Sequence, residues 1–135
     1  MTLKSIIGPY ALVFKENSPN VPNSVKWYES KLNLVPDPRY NVPPGTGDTW
    51  SQLNVPELKN VAVGLSKGAV GAGSSVLTFV VPDIAESRAK LIAHGIPVKP
   101  IEDVGLGVLL AFFEDDAKNP LCLRQNPKGQ PQEFF

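Results

Sequence analysis

The sequence has only one cysteine and one histidine in 135 residues. A lone cysteine cannot form an internal disulfide, so a reducing compartment is expected and we predict a cytoplasmic protein. No stretch is apolar over the length that a transmembrane helix needs, and the apolar run at the start is too short for a signal peptide. A membrane partner is therefore not expected.

An excess of charge of either sign is also missing. The 13 basic and 13 acidic residues cancel to a formal net charge of zero. Proteins that bind nucleic acids or anionic membranes usually carry a basic patch, so neither partner is predicted. A chain of 135 residues is long enough to bury a core, and we predict one domain over residues 1–135.

The second half contains the clearest pattern of elements. Ser75–Val81 is rich in β-branched and aromatic residues, as strands are, and Pro82 ends it. Asp83 is a helix N-cap with Glu86 at capping-box spacing, and Gly95 is placed to end the helix in a left-handed conformation. Three further strands are predicted at Val98–Ile101, Gly107–Glu114 and Leu121–Gln125.

The first half follows the same order. Tyr10–Lys15 is a predicted strand, and Val21–Leu34 is a predicted helix with Asn20 as its cap and Pro22 in its first turn. A proline-rich region follows, in which only one strand is predicted. The predicted strands after the helix are Asp48–Asn54 and Asn60–Ser66. The order β-α-β-β-β thus indicates module one at about residues 2–67 and module two at about 68–125, with a tail at 126–135.

Three segments resemble the vicinal oxygen chelate superfamily, which includes glyoxalase I, extradiol dioxygenases and the bleomycin resistance proteins. They are WYESKLNLVP in the first half, and FVVPDIAESRAKLIAHGIPV and FFEDDAKNPLCLRQ in the second. The resemblance covers about Tyr10–Gln125. It implies an α+β fold in which two βαβββ modules form a cleft-enclosing curved mixed sheet, like that of glyoxalase and the bleomycin resistance proteins. Function must still be argued from the site, because such folds carry many chemistries.

The resemblance also implies a divalent metal bound by His, Glu or Gln side chains on four strands. At the corresponding positions this chain has Pro9 or Tyr10, Gly64 or Ser66, Val76 beside Ser75, and Cys122 in place of a glutamate. A cysteine with tyrosine or serine is not a ligand set of a recognised type. We therefore predict no metal and no other cofactor.

His94 and Cys122 are the two residues that could suggest catalysis. His94 lies one residue before Gly95, where a cationic side chain complements the helix dipole, so a structural role is expected. Cys122 is expected to form a small apolar part of a cavity wall. The alternative, a nucleophile, needs an activating base that the sequence does not place beside it.

Strand alternation predicts which side chains face a ligand. On the last strand Leu121 and Leu123 pack on the helix, while Cys122 and Arg124 face the cavity. On Asp48–Asn54 the inward set is either Trp50 and Gln52, which we prefer, or Thr49, Ser51 and Leu53. The side chain of Trp50 is either a ligand surface or core, and Arg124 either binds an anionic group or is a solvated charge. On the first strand, the side chains that face the cavity are either Tyr10, Leu12 and Phe14 or Ala11, Val13 and Lys15. The predicted ligand-binding residues are Tyr10, Trp50, Gln52, Ser66, Thr78, Cys122 and Arg124.

Three functions are consistent with these residues. The first is a small-molecule binding protein of the bleomycin resistance type, without a recognisable catalytic metal site. The second is an enzyme of the lyase, isomerase or dioxygenase class, either metal-free with Tyr10, Glu16 or Glu102 as acid or base, or metal-dependent through other ligands. The third is a dimeric interaction module whose cavity has no function. Whether the protein is an enzyme is left open.

A homodimer is expected, since family members of this length commonly pair and the edges of the sheets must be covered. Leu3–Ile7 and the terminal Phe134 and Phe135 have no place in the two modules. They are therefore predicted to lie in the dimer interface, where aromatic residues are enriched. For the tail the alternative is that it frays.

Overall fold

The structure is a computed structural model and describes residues 2–130 and Phe134. These residues form two compact units, which are described separately. Unit 1 comprises residues 2–12 and 76–130, and unit 2 comprises residues 13–75 and Phe134. Helices and strands are both present in each unit, and the α+β class predicted from the sequence is confirmed.

Unit 1 contains a mixed sheet in the order β5-β8-β7-β6. Strand β5 pairs parallel to β8, while the β8–β7 and β7–β6 pairs are antiparallel. The helices of this unit are α1 (Leu3–Ile6) and α3 (Ile84–Ala93), and its strands are β5 (Val76–Val80), β6 (Glu102–Asp103), β7 (Leu109–Glu114) and β8 (Pro120–Gln125).

One face of this sheet packs against α3. The buried core combines Ile84 and Leu91 of the helix with Ala111, Phe113 and Leu123 of the strands. Leu121 and Phe79 pack against the same core at its edge. The alternation expected for β8 is therefore present, with the leucines on the helix side.

The ends of α3 are those that the sequence indicates. The Asp83 side chain accepts a hydrogen bond of 3.1 Å from the Glu86 N–H, which satisfies one of the free donors of the first turn. Gly95 follows the helix with φ of +83°, and the Ile96 N–H reaches back to the Leu91 carbonyl at 3.0 Å. His94 is the C-cap residue between them. A left-handed residue is needed here, and glycine adopts it without a steric penalty.

The segment before the first strand does not match the expectation that it has no place in the fold. Leu3–Ile6 forms the short helix α1, capped by the Thr2 side chain. Ile7 is buried in the unit 1 core, and its carbonyl accepts a hydrogen bond of 2.7 Å from Ser87 of α3. Only Leu3 of this segment remains a large exposed apolar residue. Ile7 is thus a core residue, since a buried carbonyl and side chain find partners within unit 1.

Unit 2 contains an antiparallel sheet in the order β2-β3-β4, with β1 beside β4. Its strands are β1 (Ala11–Ser18, of which 13–18 lie in this unit), β2 (Val35–Val42), β3 (Trp50–Asn54) and β4 (Val61–Lys67), and its helix is α2 (Val21–Leu32). The helix covers one face, where Val21 packs with Leu53 and Leu65. The residues on either side of Leu53 in β3 therefore have their side chains on the opposite face of the sheet.

The helix α2 begins and ends as capping rules require. The Asn20 side chain accepts from the Asn23 N–H at 3.1 Å, and Pro22 lies in the first turn, where its missing N–H costs nothing. The helix ends at Leu32 rather than at Leu34, because Asn33 adopts a left-handed conformation with φ of +57°. Asparagine is one of the few residues that adopt this conformation readily.

The sequence analysis did not predict β2, which reads VPDPRYNV. Two prolines argue against a strand, but proline is tolerated on a strand at the edge of a sheet. Strand β2 is such an edge, pairing with β3 alone. Its register shifts between Pro36 and Asn41, which marks a bulge or irregularity. The missing third strand of module one is thus the proline-rich segment itself.

The predicted middle strand of module two lies elsewhere in the structure. Instead of a strand at Val98–Ile101, the chain makes one isolated bridge between Val98 and Phe113 and then forms β6. Pro100 has no N–H, so the pairing that begins at Val98 cannot continue through it.

Among residues 2–130 and Phe134, no helix is long and apolar enough to cross a membrane.

Candidate functional site

In unit 1 the candidate site is the sheet face opposite α3. Thr78 of β5 lies directly beside Cys122 of β8, and Val80 lies beside Arg124. On the other side of β8, Phe112 and Leu110 lie opposite Cys122 and Arg124. Because alternate residues of a strand share a face, the structure brings Thr78, Cys122 and Arg124 together.

The Arg124 guanidinium is buried on this face, with 4% of the residue exposed. Its Nε donates to the Asn126 Oδ1 at 2.7 Å, and the Asn126 amide donates to the Tyr10 hydroxyl at 3.4 Å. Asn126 thus links Tyr10 to Arg124, and that Tyr10 contacts a ligand stays a prediction. Asn126 was not predicted, although it lies two residues beyond Arg124, directly after the end of β8.

Tyr10 also lines an open depression on unit 1. The other residues around it are Leu3, Lys4, Gly8, Pro9 and Pro82. This lining is mostly apolar with one cationic side chain. Such a surface suits a molecule that has an apolar body and an acidic group.

The Cys122 thiol is chemically inert in this setting. The residue is 1% exposed, and the thiol lies 3.1 Å from the Leu123 carbonyl. Burial raises the pKa of Cys122 to about 12, against smaller opposing effects that include the positive charge of Arg124. The thiolate is the nucleophile and the metal ligand, so at neutral pH this side chain behaves as a small apolar group.

In unit 2 the candidate site is the sheet face opposite α2. Trp50 and Gln52 of β3 lie on this face, since Leu53 between Gln52 and Asn54 packs against the helix. The Trp50 ring lies across Gly64 of β4, so closely that a methyl group there would overlap the ring. Ser66 is the direct cross-strand neighbour of Trp50, and both residues are half-buried. The two predicted residues thus form one partly exposed surface.

Gln52 has a different environment from Trp50. It is fully buried, and its amide donates to the Asn54 Oδ1 at 2.9 Å. The Asn54 amide in turn donates to the Asp37 carboxylate at 2.9 Å, and Arg39 binds both oxygens of that carboxylate at 2.9 and 2.6 Å. We call Asp37, Arg39, Gln52 and Asn54 the buried polar cluster, of which Arg39 is the half-buried member.

Asp37 is the anionic centre of the buried polar cluster. Burial raises the pKa of this carboxyl, but the hydrogen bonds from Arg39 and Asn54, with the Arg39 charge, lower it by more. The pKa of Asp37 therefore lies below its ordinary value of 3.8, and the group is a carboxylate at neutral pH. The sequence analysis missed Asp37 and Asn54, because β2 was not recognised and the face of β3 was followed no further than Gln52.

Phe134 packs into unit 2 beside this cluster, although a place in a dimer interface or a frayed tail was expected. It is 5% exposed, with its ring edge-on to the Tyr40 ring at 6.5 Å between centroids. Its carbonyl accepts from Asn54 at 3.2 Å and from Arg39 at 3.3 Å, while its N–H donates to the Lys59 carbonyl at 3.2 Å. Its neighbour Phe135 lies outside the described residues.

The residues at the superfamily's metal-ligand positions do not fit a metal. They are Tyr10, Ser66, Val76 and Cys122 or their neighbours, and the one thiol among them is protonated at neutral pH. Within the part of the chain that the structure describes, no three His, Cys, Asp or Glu side chains lie together as a metal site would need. That the protein binds no metal stays a prediction. His94, as the C-cap of α3, has the structural position expected for it.

Comparison with solved structures identifies the fold. Methylmalonyl-CoA epimerase from Mycobacterium tuberculosis matches with a TM-score of 0.66 and 12% identity, over 98% of this chain and 95% of that chain. A glyoxalase/bleomycin resistance protein/dioxygenase superfamily member from Vibrio splendidus 12B01 matches with a TM-score of 0.57 and 15% identity, over 85% and 97%. The Mn(II)-bound glyoxalase from Novosphingobium aromaticivorans matches with a TM-score of 0.60 and 12% identity, over 89% of this chain and 38% of that chain.

The chain therefore has the vicinal oxygen chelate fold, as the sequence resemblance implied. No protein-family model matches the chain, and no curated protein matches its sequence. At such low identity the likeness concerns the fold alone. The chemistry has to be argued from the two candidate faces.

Proposed function

We propose that this protein binds a small molecule that carries an acidic group, without a catalytic metal, in the manner of the bleomycin resistance branch of its fold. The observation that carries the proposal is the buried guanidinium of Arg124 on a sheet face whose exposed edge also carries Glu102 and Glu114. Thr78 and Cys122 lie on that face, and Asn126 links Arg124 to Tyr10. A guanidinium binds a carboxylate through two parallel hydrogen bonds, and burial strengthens the attraction.

The other predicted residues are considered within their own units. In unit 2, the Trp50 ring with Ser66 offers a half-buried aromatic surface that suits an apolar group. Gln52 is held in the buried polar cluster and would act on a ligand only through neighbouring groups. Cys122 would supply a small inert wall, since a thiol with a pKa of about 12 is not a nucleophile at neutral pH.

The proposal is tested with a panel of small aromatic and aliphatic monocarboxylates. At least one should raise the melting temperature of the native protein, because a ligand that binds only the folded state stabilises it. The matching primary amides should not. Arg124→Gln should remove the response. Arg88→Gln is the control, since Arg88 of α3 donates to the backbone carbonyls of Val98 and Lys99 in the same unit.

Two results would contradict the proposal. One is a panel in which no carboxylate shifts the melting temperature of the native protein. The other is a shift that is equal in the native protein and in Arg124→Gln.

The second candidate function is an enzyme, and the names of two structural neighbours favour it. One is an epimerase and one a glyoxalase. Of the acid–base candidates, Tyr10 contacts Asn126, and Glu16 accepts a hydrogen bond of 2.6 Å from Ser75. Tyr10→Phe distinguishes the functions. If the protein only binds, Tyr10→Phe keeps its response to carboxylates with reduced affinity. If the protein is an enzyme that uses the Tyr10 phenol as an acid or base, Tyr10→Phe still binds its substrate but no longer converts it.

We further propose that the chain forms a homodimer and that it works in the cytoplasm. The dimer rests on the exposed sheet edges and the near-zero charge, which offers little repulsion between copies. Neither Ile7 nor Phe134 is available as an interface residue, since both are buried within single units.

A further inference from the structure

Phe134 is held in unit 2 by contacts to its ring and to both polar groups of its backbone. Both polar groups of its backbone are bound, the carbonyl by Arg39 and Asn54 and the N–H by the Lys59 carbonyl. Its ring meets Tyr40 edge-on. Three kinds of recognition therefore converge on one residue, one for the ring, one for the acceptor and one for the donor.

The donors of this site are oriented by a group that belongs to unit 2. The Asp37 carboxylate binds Arg39 through two side-chain contacts and Asn54 through one. It thus holds both donors in position without using any atom of the tail. Asn54 lies on β3, and Asp37 lies on β2 in the interval between Pro36 and Asn41 where the register with β3 shifts. A site whose donors are held in this way is preorganised for a carbonyl oxygen.

We propose that Arg39, Tyr40, Asn54 and Lys59 form a binding site for a phenylalanine-type amide, which the chain's own Phe134 occupies. The ligand class is a phenylalanine residue within a peptide. Its side chain supplies the aromatic ring, and its backbone supplies the carbonyl acceptor and the N–H donor. Phe134 then acts as an internal competitor, and a free ligand binds when the Phe134 ring is removed from the site.

This inference does not depend on the proposed function. None of the four residues belongs to the predicted ligand set, and all of them lie in unit 2. The Arg124 face lies in unit 1, so a negative result at one site leaves the other unaffected.

The test uses the full chain with Phe134→Ala and a fluorescently labelled peptide, PQEFF, which copies residues 131–135. Phe134→Ala should bind the peptide with one-to-one stoichiometry in fluorescence anisotropy. The native protein should bind at least tenfold more weakly, because its own residue fills the site. Phe135→Ala is the matched control and should behave like the native protein. The peptide PQEAF should lose binding, while PQEFA should keep it.

A second substitution assigns the binding to the named residues. In the Phe134→Ala background, Arg39→Lys removes the half-exposed guanidinium donor to the carbonyl, keeps a positive charge beside Asp37, and should weaken peptide binding. Lys67→Leu, an exposed change at the end of β4, should leave the binding unchanged.

If Phe134→Ala does not fold, Phe134→Leu replaces it, since leucine keeps much of the buried apolar surface but lacks the ring. The proposal is overturned if a folded variant fails to bind PQEFF, or if PQEAF binds equally well. It is also overturned if both variants unfold, because Phe134 would then be a structural residue and not the occupant of a site.

Discussion

Asn54→Ala should destabilise the protein far more than an average polar substitution. Asn54 is 3% exposed and takes part in three hydrogen bonds, which join it to Gln52, the Asp37 carboxylate and the Phe134 carbonyl. A bond to a charged group contributes about 1.5–3 kcal/mol and a neutral one about 1 kcal/mol. The three are coupled through Asn54 and do not simply add. A loss of about 3–5 kcal/mol in the free energy of unfolding is therefore expected.

The assay is urea denaturation of the native protein and the variant. With a slope of about 2 kcal/mol per molar urea, the midpoint should fall by about 2 M with no change in slope. Asn17→Ala is the matched control, because the Asn17 side chain is only half-buried and donates a hydrogen bond of 2.9 Å to the Ala69 carbonyl. Its expected cost is below about 1 kcal/mol.

The same variant should change how stability depends on pH. The pKa of Asp37 is below 3.8 in the folded protein, so its contribution is fully present above the unfolded value and is lost as pH falls through the folded value. Asn54→Ala removes a donor and raises the pKa of Asp37 towards its ordinary value, so less stability remains to be lost in acid. If Asn54→Ala costs no more than Asn17→Ala, or if the two acid profiles are parallel, the account of the buried polar cluster is wrong.

Four further predictions concern the candidate faces and the assembly. Cys122 should not react with a thiol reagent at pH 8 until the protein unfolds, since burial raises its pKa to about 12; rapid labelling of the native state would refute this. Gly64→Ala should displace the Trp50 ring, because the new methyl would lie 2.6 Å from Cζ2, and the expected readout is a shifted tryptophan emission that Gly71→Ala does not cause. EDTA should leave the melting temperature unchanged, whereas a clear fall would reveal a metal site. Light scattering should give twice the 14.6 kDa of one chain, and a single-chain mass at every concentration would exclude the dimer.

The helices could be predicted from the sequence because their ends have local chemical causes. Asn20, Asp83 and Gly95 act on neighbours within a few residues, so the caps of α2 and α3 are visible without any tertiary information. The alternation of side chains along β8 is also a local pattern, and it places Leu123 in the core and Cys122 and Arg124 on the opposite face. The vicinal oxygen chelate fold followed from the same segments.

Strand β2 and the position of Phe134 could not be predicted in this way. Two prolines make VPDPRYNV resemble a loop, and only its place at the edge of a sheet makes the strand possible. The contacts of Phe134 join residues that are 80 and 95 positions apart in the chain. Such pairings have no period or spacing that a single sequence would reveal. The buried polar cluster was missed for the same reason, since Asp37 lies on the unrecognised strand.

Native mass spectrometry of the protein as purified from cells tests whether Arg124 holds a small acidic molecule. We expect an adduct of such a molecule, which persists in the presence of EDTA and in Arg88→Gln and is absent from Arg124→Gln. A divalent ion bound at one per chain, or an adduct that Arg124→Gln retains in full, would contradict this expectation.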